Sequence, residues 1–157
     1  MILLRGKSTA LTDKATNAVL ASNETIAREP IHKAQAAYAR GEYIEAITLY
    51  RAIAMEEPDN RLPWVEIAKI QHDQLEDPEI SMNTLRTALE ELHWPADDTA
   101  FFMGRIADIQ LNSMNDKEAC IAILEQIAET FPESQYSASA THRLNEIEKA
   151  QGQEIEV

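Results

Sequence analysis

Three prolines divide most of this chain of 157 residues into units of equal length, because Pro58, Pro95 and Pro132 stand 37 residues apart. Before each proline, apolar residues recur at the three- and four-residue intervals that are typical of an amphipathic α-helix. Proline ends a helix because it lacks an amide hydrogen and because its ring clashes with the preceding turn. A helical pattern that stops three times at the same interval indicates an internal repeat built from helices.

The first unit shows this pattern most clearly, over residues 34–60. Its first helix is rich in alanine, whose small side chain allows a second helix to approach closely. Gly41 follows, at the position where a helix C-terminus favours a residue in the left-handed conformation. The second helix places its apolar residues on one face, at Tyr43, Ala46, Ile47, Tyr50, Ile53 and Ala54. The unit therefore predicts two antiparallel helices joined by a tight turn at residues 40–42.

These residues resemble the tetratricopeptide repeat, a helical hairpin of about 34 residues. The repeat has a glycine in its turn, an alanine followed four positions later by an aromatic residue, and a proline eight positions after the aromatic residue. Here those positions are held by Gly41, Ala46, Tyr50 and Pro58. The resemblance implies an all-α fold in which antiparallel helical hairpins stack as a right-handed solenoid.

The second and third units resemble the repeat less closely. Trp64, Ile67 and Ala68 match its W-x2-L-G start, whereas Gln71 stands where the repeat favours tyrosine. The small and large residues of the second helix recur at Ser81 and Leu85, and at Cys120 and Leu124. In the second unit this helix is predicted to turn inward Ile80, Met82, Leu85, Ala88, Leu89 and Leu92. Residues 131–136 resemble the FP-x-S-x-Y link of repeat proteins in bacterial envelope assembly.

A single helical domain is predicted from residue 12 to residue 151. Its repeats span residues 31–58, 61–95 and 98–132, and its flanking helices occupy residues 12–28 and 135–150. Within the repeats, helices are predicted at residues 31–40, 43–57, 61–75, 78–93, 98–113 and 116–131. We also predict a flexible N-terminal arm over residues 1–11 and an acidic tail over residues 152–157.

Charge narrows the class of partner. The formal net charge is −13, from 27 acidic and 14 basic residues. Nucleic acids bind clustered Lys and Arg side chains, so we predict no nucleic-acid partner. No apolar run approaches the length of a membrane span, and anionic lipid would repel the chain, so direct membrane insertion is not expected either. A protein or peptide partner fits better, and a basic one suits the charge.

The sequence assembles neither a catalytic nor a metal site. Its four histidines are scattered, without the i, i+4 spacing of a helical metal site. Cys120 has no second cysteine to pair with, and its small-residue packing position is typical of a core thiol. The stretch Gly6-Lys7-Ser8 lacks the earlier glycine and the strand of a phosphate-binding loop. We therefore expect no enzyme and no cofactor.

The expected function is a binding surface. The resemblance implies that the first helices line the concave side of a curved array, where extended peptides or partner helices bind. The candidate partner-binding residues on these helices are Gln35, Tyr38, Lys69, His72, Arg105 and Asn112. We expect a non-catalytic scaffold or adaptor. The alternative is a self-association domain of a larger protein, in which case the chain forms a homo-oligomer.

The N-terminal sequence bears on the compartment. Only Ile2, Leu3 and Leu4 are apolar before Arg5, which is too short an apolar core for a secretory signal. This favours the cytoplasm. The alternative is a periplasmic or membrane-tethered location, if the chain is a domain of a larger parent in which these residues end a membrane helix.

Overall fold

The computed structural model describes residues 29–155, with side chains up to residue 152. Within this range the regular secondary structure is entirely helical, and no strand occurs. The seven helices are α1 at residues 29–39, α2 at Tyr43–Glu56, α3 at Leu62–Asp73, α4 at Pro78–Glu91, α5 at Ala96–Asn112, α6 at Lys117–Thr130 and α7 at Gln135–Ile155. The prediction of an all-α fold is therefore confirmed.

The last helix extends beyond its predicted end at residue 150. The predicted arm at residues 1–11 and the predicted helix at residues 12–28 lie outside the described residues. α7 continues to Ile155 and so includes the first four residues of the predicted tail. No proline interrupts it there, and a glycine such as Gly152 costs a helix only about 1 kcal/mol. Between residues 29 and 155, no helix is both long and apolar enough to cross a membrane.

Each hairpin turns through a residue with a positive φ angle. Gly41 has a φ of +78° between α1 and α2, as its position predicts. Glu76 and Asn115 occupy the corresponding places in the next two hairpins, with φ of +53° and +52°. A side chain makes this conformation less favourable than it is for glycine, and asparagine tolerates it best. The second and third turns also share a backbone hydrogen bond, from the amides of Asp77 and Asp116 to carbonyl oxygens six positions earlier, whereas the first turn is one residue shorter.

Aspartates begin the second helices of the second and third hairpins. The carboxylate of Asp77 accepts a hydrogen bond from the amide of Ile80, and that of Asp116 accepts one from the amide of Ala119, both at 2.9 Å. Such a cap satisfies a free amide of the first turn and stabilises a helix by about 1 kcal/mol. α2 begins without a side-chain cap, and its turn uses Gly41 instead.

The second helices bury their small and large residues in the same register in all three hairpins. The small residues Ala46, Ser81 and Cys120 are buried, and so are the large residues four positions later, Tyr50, Leu85 and Leu124. Measured between these small residues, successive hairpins are 35 and 39 residues apart. The three equally spaced prolines therefore do not occupy equivalent positions in the hairpins. Pro58 and Pro132 follow α2 and α6, whereas Pro95 is the N-cap residue of α5.

The core is divided into three clusters along the chain. From α2 to α7, each helix packs mainly on the helices that precede and follow it in sequence. The first cluster joins α1, α2 and α3, the second joins α3, α4 and α5, and the third joins α5, α6 and α7. α3 contributes Ile67 to the first cluster and Ala68 to the second, and α5 contributes Phe102 to the second and Met103 to the third. These two helices therefore pack on both sides.

Candidate functional site

The six residues predicted to bind a partner lie on the first helices, α1, α3 and α5. Gln35, Lys69, Arg105 and Asn112 are exposed. Within the described residues, none of these four side chains forms a hydrogen bond or an ion pair. They are therefore accessible to a partner, although no groove among those described below includes them. The other two predicted residues contact the next hairpin instead.

Tyr38 and His72 make equivalent contacts between hairpins. The side-chain amide of Gln74 donates a hydrogen bond to the Tyr38 hydroxyl at 3.3 Å. Nε2 of His72 lies 2.7 Å from the Ser113 hydroxyl oxygen. Gln74 and Ser113 are the C-cap residues of α3 and α5, so each first helix is joined to the end of the next one. Both side chains thus connect neighbouring hairpins, a role that sequence reasoning missed.

Exposed apolar side chains gather around one groove between α2 and α4. The exposed fraction is 66% for Ile44, 86% for Met55, 40% for Leu75 and 49% for Ile80. The groove consists of two adjoining cavities of about 380 and about 280 Å³, which share Arg51, Gln71 and Ile80. We call it the α2–α4 groove, lined by Ile44, Ile47, Thr48, Arg51, Ala54 and Met55 of α2, Trp64, Ile67 and Gln71 of α3, Leu75 and Asp77 between α3 and α4, and Ile80, Asn83, Thr84 and Thr87 of α4.

The helical period explains why these side chains share one groove. On both α2 and α4 the lining residues recur at intervals of three and four positions. Residues at such intervals lie on one face of a helix. α2 and α4 both pack on α3, which separates them. The two faces therefore form opposite walls, and α3 forms the floor between them.

The prediction that Ile80 points inward is wrong. Ile80 is the third residue of α4, and about half of its surface is exposed in the α2–α4 groove. Met82 and Leu85 lie on the neighbouring face of α4 and fill the contact with α3 and α5. Since α3 holds α2 away from α4, no helix of the described residues covers Ile80. The side chain is apolar without being part of a core cluster.

A buried amide fixes the floor of the groove. Gln71 is only 2% exposed, and its Oε1 accepts a hydrogen bond from the Thr84 hydroxyl at 2.7 Å. The Ser81 hydroxyl donates to the carbonyl oxygen of Ala68, also at 2.7 Å. A buried polar group that finds a partner avoids a desolvation penalty of about 1–3 kcal/mol. These two bonds therefore hold α4 on α3 in one orientation. Nε1 of Trp64, also in the lining, has no hydrogen-bond partner among the described residues.

Arg51 places a positive charge in the middle of the α2–α4 groove. Its side chain is exposed and lines both cavities. Three other arginines are paired with carboxylates: Arg40 with Glu42, Arg61 with Asp98, and Arg143 with Asp108. Arg51 has no carboxylate within 4.0 Å in the part of the chain that the structure describes. Among the described residues it is therefore a cation without a counter-ion, in a lining that also exposes Ile44 and Met55 of the same helix.

A second groove of the same construction lies one helix pair further along. α4 and α6 form its walls and α5 its floor, around a cavity of about 430 Å³. We call it the α4–α6 groove, lined by Arg86, Leu89 and Glu90 of α4, Thr99, Met103 and Ile106 of α5, and Ile123, Gln126 and Thr130 of α6. Its apolar side chains are buried or half-buried, and its exposed ones are polar or charged.

Reactive and metal-binding side chains are not concentrated in either groove. Cys120 is buried in the third cluster, and this burial is the main reason that the pKa of its thiol is raised. Within the described residues, no three His, Cys, Asp or Glu side chains come together as a metal site. The α2–α4 groove offers apolar contacts, three threonine hydroxyls, the side-chain amides of Gln71 and Asn83, the guanidinium of Arg51 and, at one end, the carboxylate of Asp77.

The sequence was also compared with known proteins. It matches no protein-family model, and it matches no curated protein.

Proposed function

We propose that this chain is a non-catalytic protein-interaction scaffold that binds a helical segment of a partner protein in the α2–α4 groove. One observation carries the proposal. Seven large apolar side chains are exposed among the described residues, and four of them line this groove. Scattered exposed apolar residues are common on protein surfaces, whereas a cluster of them in a groove is typical of an interaction site.

The shape of the groove favours a helix as the bound segment. Its walls are two helices that a third helix keeps apart, and its lining follows α2 from Ile44 to Met55 and α4 from Ile80 to Thr87. A partner helix can place residues at i, i+3, i+4 and i+7 between such walls, as in other complexes that bind a helix in a groove. Full burial of one Leu, Ile or Met side chain contributes about 1.5–3 kcal/mol, so three or four such residues supply a useful affinity even after the entropy cost of association.

The tetratricopeptide-like solenoid is part of the same proposal. Packing of each helix on its sequence neighbours, a residue with a positive φ angle in each turn, and the shared burial register all support a stack of three hairpins. The first-helix residues Gln35, Lys69, Arg105 and Asn112 stay a predicted second contact surface. Because the net charge is −13, a partner with basic residues outside the contact should associate faster and should bind less tightly as salt rises.

The proposal is tested by quantitative capture of partners on three forms of the full chain. Wild type, Ile80→Asp and Met114→Asp are immobilised, and proteins retained from a lysate of the source cells are quantified by mass spectrometry. Met114 is a matched control, since it is an exposed large apolar residue outside the α2–α4 groove. We expect a partner that wild type and Met114→Asp retain and Ile80→Asp loses. Equal retention by all three forms would contradict the proposal.

The self-association alternative has its own readout. Light scattering during gel filtration gives the mass of wild type and Ile80→Asp at the same concentration. A wild-type dimer that Ile80→Asp converts to a monomer would identify a second copy of the chain as the occupant of the groove, and the scaffold proposal would then be replaced by the alternative.

A further inference from the structure

We infer that the helix bound in the α2–α4 groove carries an acidic side chain, Asp or Glu, within its apolar stripe, and that this carboxylate pairs with Arg51. The inference rests on the proposed function, because it specifies the partner of the same groove. It commits to one kind of occupant: an amphipathic helix with apolar residues on both sides of a central carboxylate.

Arg51 lies in the middle of the α2–α4 groove. Arg51 follows Ile44 by seven positions and precedes Met55 by four, on the same face of α2. It is one of the residues that the two adjoining cavities share, with Gln71 below it and Ile80 across from it. A helix that contacts both Ile44 and Met55 therefore passes over the Arg51 guanidinium.

Covering the Arg51 guanidinium has a desolvation cost. While the groove is open, water solvates the Arg51 side chain, which is exposed. A bound helix removes this water, and a buried charge without a partner is strongly unfavourable. An apolar residue at the matching position of the bound helix would leave the guanidinium in that state. A carboxylate would instead form a charge-assisted bond, for which the planar guanidinium offers two parallel donors.

The described residues supply no free acceptor that could pair with Arg51 in place of a partner. Asp77 lines the end of the groove, but its carboxylate already caps α4 through the amide of Ile80 at 2.9 Å. Oε1 of Gln71 already accepts the hydroxyl of Thr84 at 2.7 Å. No carboxylate of the described residues lies within 4.0 Å of Arg51. The bound segment, rather than a described residue of this chain, therefore supplies the acceptor.

The experiment uses a displayed library of 18-residue helical peptides. Their outer face is fixed and basic, their apolar stripe varies among Leu, Ile and Met, and one central stripe position varies over all amino acids. The full chain is the target, in three forms: wild type, Arg51→Glu and Arg86→Glu. Arg86 is the matched control, because it is an exposed arginine that lines the α4–α6 groove. Circular dichroism verifies that both variants melt like wild type.

We expect wild type and Arg86→Glu to enrich Asp or Glu at the central position, and Arg51→Glu to enrich Lys or Arg there. For a selected peptide, replacing its central Glu by Gln should weaken binding to wild type by about tenfold or more. The same replacement should change binding to Arg51→Gln by less than about threefold, because the pair is already broken.

Two different failures can be told apart. Peptides that bind wild type, lose binding to Ile80→Asp and show no central preference would overturn the carboxylate inference and leave the groove intact. If no peptide is enriched, or if the enriched peptides bind Ile80→Asp as well as wild type, the groove itself is refuted. A wild-type dimer that Ile80→Asp dissociates would refute the inference too, since a second copy would then fill the groove.

Discussion

The α2–α4 groove and the α4–α6 groove are built in the same way and differ in what their walls expose. In both, two second helices are held apart by a first helix, and α4 is a wall of each. The α2–α4 groove exposes Ile44, Met55 and Ile80 around one arginine. The α4–α6 groove exposes Arg86 and Glu90, which have opposite charges. A groove therefore lies between each pair of neighbouring second helices, and the side chains of its walls decide whether it suits an apolar ligand.

The largest effect is expected where the two grooves share a wall. Leu85 is buried in the second cluster, so Leu85→Ala should lower the free energy of unfolding by about 2–5 kcal/mol. Ile80→Ala, on the same helix, should lower it by about 1 kcal/mol or less, because half of that side chain is exposed. Urea denaturation measures both. Equal losses would mean that Ile80 is part of the core and that the α2–α4 groove is closed.

A smaller effect should separate the grooves in binding. Ile80→Asp places a carboxylate in the apolar α2–α4 groove, and it should weaken binding of a selected helical peptide by about 30-fold, or on the order of 2 kcal/mol. Gln126→Asp makes a similar polar change in the α4–α6 groove, and should change the affinity by less than about threefold. Fluorescence anisotropy with a labelled peptide gives both affinities. A greater loss of affinity for Gln126→Asp than for Ile80→Asp would mean that the peptide binds in the α4–α6 groove instead.

The two hydrogen bonds that connect first helices should each contribute less to the free energy of unfolding than Leu85 does. Their contributions should be about equal. Tyr38→Phe removes the acceptor for Gln74, and His72→Phe removes the contact with Ser113. Each should lower the free energy of unfolding by about 0.5–1 kcal/mol, the usual net value of one hydrogen bond. Thermal melts of both variants provide the measurement. If only one variant loses stability, the contact between the first and second hairpins is not equivalent to the contact between the second and third. The two grooves would then not be built in the same way.

The smallest effect is expected on the first-helix surface. Lys69→Ala and Arg105→Ala remove exposed side chains without a side-chain partner in the described residues, so stability should change by less than about 0.5 kcal/mol. Peptide affinity should also stay within about twofold of wild type if binding uses the α2–α4 groove. A loss of about 1 kcal/mol or more in affinity would assign the interaction to the predicted first-helix surface.

The sequence predicts local structure well because local structure depends on near neighbours. Helical periodicity, the turn at Gly41 and the pairing of Ala46 with Tyr50 all act within a few residues, and the structure confirms them. The proline spacing misleads because one residue type has two uses: Pro58 follows a helix, whereas Pro95 begins one. Both uses are favourable, and a pattern of prolines alone does not separate them.

The site is less predictable because it depends on contacts between distant residues. Tyr38 and His72 looked like surface residues, and only the structure reveals their partners, which are 36 and 41 positions away. One signal for the groove was present in the sequence. Ile44 and Met55 lie outside the apolar face that the first hairpin buries, so they are apolar residues with no core to enter. Treating such residues as candidates for contact would have identified one wall of the groove.

Because α3 belongs to two core clusters, it should unfold locally less often than a helix that belongs to one cluster. α7 belongs to the third cluster only, whereas α3 can unfold only if the first and second clusters both separate. Backbone amides of α3 should therefore exchange with deuterium more slowly than those of α7. A ligand that spans α2, α3 and α4 would act as a brace across two clusters, and would slow this exchange without changing the shape of the protein.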